Sequence, residues 1–155
     1  MRKILLFFIL FSFFAQNINA QTEEELILEG LQNSYFTYLS MEGYNAKIEE
    51  DGDISFKQEG KTYYITPYDE YTFEVSRYVE LSDGDACSKI YQMINDFHFT
   101  RANERALAYE GCDLIQIQSF SMLNEKNDWK GILNGSMLWL DNGVEGFLEL
   151  YNELQ

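Results

Sequence analysis

The amino-acid sequence predicts an α+β domain in which an antiparallel β-sheet is flanked by helices. Short runs of alternating apolar and polar residues are joined by glycine-containing turns, a pattern typical of β-hairpins. Longer segments before, between and after these runs carry apolar residues at helical spacing. Hairpin-linked strands pair antiparallel, and helices commonly cover one face of such a sheet. The predicted order is α-β-β-β-β-α-β-β-α, in which the last segment is one helix or two.

The first helix is predicted over residues 23–41. Thr22 and Glu25 have the spacing of a capping box, which satisfies backbone N–H groups at a helix start. Gly43 is a typical helix stop, after which Tyr44 can fold back on the last turn. The apolar residues between these ends recur at helical spacing: Leu28, Leu31, Tyr35 and Leu39.

Residues 45–65 are predicted to form three strands, and their turns determine the register. A two-residue loop, Glu59-Gly60, and a three-residue loop that ends at Gly52 place all the apolar partners on one face. The predicted pairs are Ile48–Ile54, Ala46–Phe56, Ile54–Ile65, Phe56–Tyr63 and Gln58–Lys61. One face of this three-stranded meander should therefore lie against the core.

The remaining elements follow in order along the chain. A connection that contains Pro67 leads to a fourth strand, at residues 71–76 or continued to Val79, and then to a helix at residues 85–97. A second hairpin is predicted to turn at Gly111-Cys112. Its strands are 105–109 and 114–120, with the pairs Ala106–Ile117 and Ala108–Ile115.

The last thirty residues have helical period, interrupted at Asn142-Gly143, where a helix could either end or bend. Gly131 and Gly135 lie one turn apart. We interpret them either as a close approach of the helix to the sheet or as a weakening of the helix.

Residues 1–20 have the three-part pattern of a secretory signal peptide. Arg2 and Lys3 precede an apolar run over residues 4–15, and cleavage is predicted after Ala20. The alternative is an uncleaved membrane anchor, although the run is short for a bilayer. Residues 21–155 are then a single exported domain, periplasmic or secreted, and no later segment is apolar enough to insert in a membrane.

The net charge limits the choice of partner. The chain has charge −15, and removal of two of its eleven basic residues with the signal peptide leaves −17. Such a domain is repelled by nucleic acid and by anionic membrane surfaces. The charge is explained by solubility alone, or it serves a basic partner or a divalent cation.

No constellation of residues predicts catalysis, a cofactor or a metal site. His98 is the single histidine and is interpreted as a helix-terminal residue. The acidic run at residues 49–53 lacks the spacing of a calcium-binding EF-hand, and no glycine loop for phosphate occurs. We therefore expect a protein that is not an enzyme, with an enzyme that uses an unrecognised acidic site as the alternative.

Two features remain as candidate sites. Cys87 and Cys112 are expected at the same end of the domain, where an oxidising compartment would favour a disulfide; two partly buried thiols are the alternative. Tyr64 faces away from Tyr63 and Ile65. With Tyr68 it is a candidate for an exposed aromatic interface, since aromatic residues often anchor protein contacts.

Residues 43–65 resemble the opening of YbjN-like domains, also labelled a bacterial sensory-transduction-regulator family. The matching motifs are Gly43-Tyr44, Asp51-Gly52-Asp53, Phe56-Lys57 and Glu59-Gly60. The order of elements agrees over most of residues 23–153. This resemblance implies a fold like that of type III secretion chaperones, which bind segments of other proteins, and it brings no catalytic residues.

Together these observations predict an exported, non-catalytic module that binds a protein partner. A homodimer is compatible with this interpretation. The alternative within the binding class is an acidic inhibitor, or immunity-type protein, directed against a basic effector.

Overall fold

The computed structural model describes residues 22–81, 87–101, 103–109, 111–126 and 128–153. The predicted signal peptide lies outside these ranges. The described chain forms helices α1 (Glu23–Met41), α2 (Cys87–Thr100) and α3 (Trp129–Glu153). Its strands are β1 (Lys47–Ile48), β2 (Ile54–Gln58), β3 (Lys61–Pro67), β4 (Thr72–Glu80), β5 (Glu104–Ala108) and β6 (Leu114–Met122). They form one antiparallel sheet in the order β1-β2-β3-β4-β6-β5, which confirms the α+β prediction.

Both ends of α1 are explained by local sequence. The N–H of Glu25 donates to Thr22 Oγ1 at 3.2 Å, and the N–H of Thr22 donates to Glu25 Oε2 at 2.8 Å, which completes the predicted capping box. At the other end Gly43 has φ of 88°, and the N–H of Tyr44 donates to the carbonyl of Leu39 at 2.9 Å. The helix therefore begins and ends where its caps place it.

The register of the meander is confirmed for four of its five pairs: Ile48–Ile54, Ile54–Ile65, Phe56–Tyr63 and Gln58–Lys61. Glu59 and Gly60 both have positive φ, as a two-residue hairpin turn of this hand requires. The fifth predicted pair, Ala46–Phe56, has the same register but lies one residue beyond the β1–β2 ladder, which ends at Lys47–Ser55.

Two strand boundaries differ from the prediction. Pro67 belongs to β3 and pairs with Phe73, since the last residue of a strand can do without a donor. Strand β4 continues to Glu80 because β6 pairs with it along its whole length. The second hairpin has the predicted pairs Ala106–Ile117 and Ala108–Ile115.

Helix α3 is continuous through Asn142-Gly143. The last segment of the chain is therefore one helix and not two. The close approach to the sheet occurs at Gly143, where an added Cβ would lie 3.1 Å from Glu104 Cγ. The interpretation of Gly131 and Gly135 as a close approach was wrong, since both are exposed and no sheet atom lies within 4 Å of the Cβ position of either.

All three helices lie on the same face of the sheet. In α1 the ring of Tyr35 packs 5.8 Å from Phe73 of β4 and stacks on Trp129 of α3 at 3.9 Å. Phe97 of α2 packs edge-on against Phe147 of α3 at 5.6 Å. The core therefore lies between the helices and one face of the sheet, and the opposite face has no helix over it among the described residues. Over the described part of the chain, no helix is long and apolar enough to cross a membrane.

Candidate functional site

The face of the sheet opposite the helices, here called the open face, is built by the alternation of side chains along each strand. In β4, Phe73 and Val75 point to the core, so Glu74, Ser76 and Tyr78 point to the open face. Five large apolar or aromatic side chains on this face or at its margin are between 37% and 48% exposed: Tyr68, Tyr78, Leu107, Tyr109 and Phe120.

Three tyrosines at one end of the open face form what we call the tyrosine cluster: Tyr64, Tyr78 and Tyr109. The rings of Tyr64 and Tyr78 meet edge to face, with centroids 5.1 Å apart and an interplanar angle of 88°. The rings of Tyr78 and Tyr109 lie 5.7 Å apart at 52°. Burial, followed by the hydroxyl contact with Tyr109, raises the pKa of Tyr78 above its ordinary value.

A series of hydrogen bonds to buried side chains holds the tyrosine cluster in place. The hydroxyl of Tyr109 lies 3.3 Å from that of Tyr78 and donates to Gln116 Oε1 at 2.8 Å. Gln116 Nε2 in turn donates to Ser76 Oγ at 3.0 Å. Gln116 and Ser76 are buried, so these bonds position the hydroxyl groups of the cluster before any ligand arrives.

The other end of the open face is a cavity of about 380 Å³. The ring of Tyr68 lies 5.8 Å from that of Phe120, and its hydroxyl donates to Glu74 Oε2 at 3.0 Å. Burial raises the pKa of Glu74, and burial together with Glu74 raises the pKa of Tyr68 to about 12. Arg105, Leu107 and Gln118 complete the lining.

Further carboxylates lie at the margin of the open face near the tyrosine cluster. Burial raises the pKa of Asp53, whose Oδ1 accepts a hydrogen bond from Thr66 Oγ1 at 2.7 Å. Glu49 forms an ion pair with Lys47 and accepts from Ser55 Oγ at 2.6 Å, and these two hydrogen bonds lower the pKa of Glu49. The face thus combines aromatic rings with negative charge.

The predicted interface residues Tyr64 and Tyr68 both lie at the open face, but at its opposite ends, in separate groups of rings. Sequence reasoning missed Tyr78, Tyr109 and Phe120. The alternation in β4 and β6 contained a usable indication. Tyr78 lies next to the core residue Val79, and Phe120 lies three residues after the core residue Ile117, so both side chains point away from the core.

The two cysteines lie at the start of α2 and in the β5–β6 turn, which places them at the same end of the domain. Their Cα atoms are 5.5 Å apart, and the structure joins them as a disulfide. Neither residue lines the open face, so we assign the pair to the stability of the domain.

His98, in the last turn of α2, is exposed and accepts a hydrogen bond at Nε2 from the N–H of Ala106 at 2.8 Å. It therefore satisfies a donor of the edge strand β5, which would otherwise be open to another strand. Within the described ranges, no group of three or more His, Cys, Asp or Glu side chains could hold a metal ion.

A second exposed apolar surface lies on α3 and the end of β6. Met122, Leu138 and Trp139 are exposed there, beside a cavity of about 570 Å³ that Gly131 and Gly135 help to line. This α3 surface carries fewer exposed rings than the open face.

No family model matches the chain, and no curated protein is similar to it in sequence. Among solved structures, the type III secretion chaperone SycH of Yersinia pestis, in complex with a stable fragment of YscM2, aligns with 76% of this chain and 98% of its own. The sequences are 16% identical and the TM-score is 0.45.

Proposed function

We propose that residues 21–155 form an exported, non-catalytic protein-binding module that holds a segment of a partner protein on the open face. The observation that carries this proposal is the one-sided covering of the sheet. All three helices pack on one face, while aromatic side chains of the other face remain 37–48% exposed. Exposed aromatic residues in a shallow concave surface are typical anchors of protein interfaces.

The charge of the open face defines the chemistry of the partner. Asp53 and Glu74 lie between the aromatic groups, and Glu49, Glu50 and Asp51 lie at the margin. The whole chain has charge −15. We therefore propose a partner segment that presents basic and apolar side chains together, and we expect association to weaken as salt screens the charges. An acidic inhibitor of a basic effector would be one form of this function.

Two further parts of the proposal rest on sequence. The resemblance of residues 43–65 to YbjN-like domains favours a binding role over catalysis. The signal-peptide pattern at residues 1–20 favours a partner outside the cytoplasm. Neither depends on the geometry of the open face.

A peptide selection tests the proposal directly. We would select binders from a random-peptide library with residues 21–155 and measure their affinity by calorimetry. Leu107→Lys adds a positive charge to the open face at a side chain that is 45% exposed, so folding should be preserved. We expect this variant to lose about tenfold in affinity or more, since it removes an apolar anchor and repels a basic segment.

Leu138→Lys and Tyr91→Lys are the matched controls, because both side chains are exposed on helices that cover the other face of the sheet. Unchanged affinity in these two variants, with loss in Leu107→Lys, supports the open face. The reverse pattern would assign binding to the helix-covered side and contradict the proposal. A wild-type dimer in light scattering that Leu107→Lys converts to a monomer would show that a second copy, rather than a partner segment, occupies the open face.

A further inference from the structure

We infer that the tyrosine cluster, together with Glu50 and Asp51, is a subsite for an arginine side chain of the bound segment. This inference rests on the proposed function, because it identifies one anchor of the partner that the open face would hold. It goes further in naming the side chain, the residues that contact it and the chemistry of the contact.

The shape of the site suits a planar cation. An open cavity of about 840 Å³ is lined by the three tyrosines of the cluster, the acidic loop at residues 49–51, Lys47 and Leu114. Neighbouring rings of the cluster lie 5.1 and 5.7 Å apart and are inclined at 88° and 52°, so they form walls at different angles. A cation is attracted to a ring within about 6 Å of its centroid, and at this spacing one cation can reach more than one ring.

The charge of the cavity is negative after its own ion pair is formed. Lys47 pairs with Glu49, which neutralises both. Glu50 and Asp51 remain, and among the described residues neither of them is in an ion pair. Asp51 does accept a hydrogen bond from the N–H of Asp53 at 3.2 Å, which holds its carboxylate at the turn. The cavity thus offers aromatic rings and two uncompensated carboxylates to one ligand.

Elsewhere the chain places its own cations over aromatic rings. Arg77 lies 5.5 Å from the centroid of Tyr63, and Lys130 lies 5.1 Å from that of Tyr38. In the described part of the chain, no internal cation is placed over the tyrosine cluster in this way. The rings of the cluster are therefore available to a cation from another molecule.

The combination of rings with carboxylates favours arginine over lysine. A guanidinium group stacks on aromatic faces and at the same time donates in pairs to a carboxylate, whereas an ammonium group is a point charge with stronger hydration. Guanidinium groups also lose less hydration when they enter a partly buried site.

The test is a titration of residues 21–155, labelled with ¹³C in the tyrosine rings, with N-acetyl-arginine N-methylamide. We expect saturating shifts of the Tyr64, Tyr78 and Tyr109 ring signals and none at Tyr91. The matched citrulline compound has the same shape without the charge, and it should cause no saturating shift. Equal binding of citrulline, or shifts caused by tetramethylammonium but not by arginine, would overturn the inference.

Variants separate the rings from the charges. Glu50→Gln keeps every ring and removes one exposed charge, and Tyr78→Leu removes the central ring. Each should weaken arginine binding by about three- to fivefold, the size of one cation–π contact or one exposed charge pair. Tyr68→Leu, at the other end of the open face, should leave it unchanged. If Tyr78→Leu does not fold, Glu50→Gln still decides the outcome.

Failure of the inference can be distinguished from failure of the proposed function. If Leu107→Lys abolishes peptide binding but arginine shifts no tyrosine signal, the open face is a binding surface without this subsite. If arginine saturates the cluster but selected peptides bind on α3, the subsite exists and the proposed function is wrong.

Discussion

Asp141, in the middle of α3, accepts a hydrogen bond from Arg77 Nη1 of β4 at 2.6 Å. The same carboxylate accepts from Lys61 Nζ at 2.7 Å and from the hydroxyl of Tyr63 at 2.9 Å. Two strands of the sheet are thereby joined to one residue of the helix that covers them. This contact lies on the helix-covered face, so it stabilises the scaffold of the open face without being part of it.

We expect Asp141→Asn to lower the free energy of unfolding by about 1–3 kcal/mol, the usual cost of removing a charged hydrogen-bond partner that is mostly buried. Asp141 and Arg77 side chains are only 21% and 17% exposed, so solvent screening is limited. The measurement is urea unfolding at neutral pH. Glu145→Gln, an exposed charge removal on the same helix, is the control and should change little. An unaltered unfolding midpoint in Asp141→Asn would show that the network contributes nothing to stability.

The penalty in Asp141→Asn should also depend on pH. Burial alone would raise the pKa of Asp141, but the hydrogen bonds from Lys61, Tyr63 and Arg77 outweigh it and hold the pKa below its ordinary value. The contribution of Asp141 is therefore complete above the pKa of the unfolded chain and is lost as the pH falls through the folded-state pKa. The difference between wild type and variant should shrink in acid.

Glu74→Gln should show the opposite dependence. Burial on the open face raises the pKa of Glu74 in the folded chain. As the pH rises through the ordinary glutamate range, the unfolded chain loses this proton first, so the wild type loses stability relative to a variant that cannot titrate. We expect the stability of Glu74→Gln relative to wild type to increase between about pH 4 and pH 7. Urea midpoints across this range provide the measurement, and a constant difference would exclude the effect.

The meander was predictable because its information is local. Two turns with glycine at positions of positive φ set the register, and a slip of one residue would have turned Ile54 and Phe56 to solvent. The order of the whole sheet was not predictable in the same way. Strands β4 and β6 pair along nine residues, but α2 and β5 separate them in the chain, and no turn connects them directly.

The candidate site likewise depends partly on local sequence, which is readable, and partly on the order of the strands in the sheet, which is not. Tyr64 could be placed on the open face from the register of its own hairpin. Its neighbours Tyr78 and Tyr109 join it only because β4 lies between β3 and β6, with β5 beyond. The sequence left the choice between one helix and two open at Asn142-Gly143 for a related reason. The low helix propensity of this dipeptide is outweighed by the contacts of Asp141 and Gly143 with the sheet, which a local pattern does not contain.

Substitution of two glycines of α3 should change the stability of the protein in opposite directions. No atom outside the local helix lies within 4 Å of a Cβ added at Gly135, so Gly135→Ala should raise stability by up to about 1 kcal/mol through helix propensity. At Gly143 an added Cβ would lie 3.1 Å from Glu104 Cγ and 3.5 Å from Ile117 Cγ2. Gly143→Leu should therefore cost about 1–3 kcal/mol by overpacking. Thermal unfolding of the two variants tests this, and a stable Gly143→Leu would contradict the close packing of α3.

Export of the chain can be tested by the mass of the protein recovered from cells. The pattern at residues 1–20 predicts cleavage after Ala20, so intact mass and N-terminal sequencing should give a chain that begins at Gln21 in the periplasmic or medium fraction. Replacement of Leu5 and Leu6 by Asp should interrupt the apolar run and leave the full-length chain in the cytoplasm. Recovery of an uncleaved wild-type chain in the membrane fraction would favour the anchor instead.

The Cys87–Cys112 pair makes a prediction that combines export with stability. An exported chain meets an oxidising compartment, and the structure places the two residues at 5.5 Å between Cα atoms with a sequence separation of 25. Closing a loop of this length should stabilise the protein by about 3 kcal/mol, mainly by restricting the unfolded chain. We expect the cysteines of the mature protein to react with no alkylating agent before reduction. Addition of a reductant should lower the melting temperature, and the double variant Cys87→Ala/Cys112→Ala should lower it by a similar amount. Two thiols that alkylate in the unreduced protein would show that the bond does not form, and the pair would then contribute only packing.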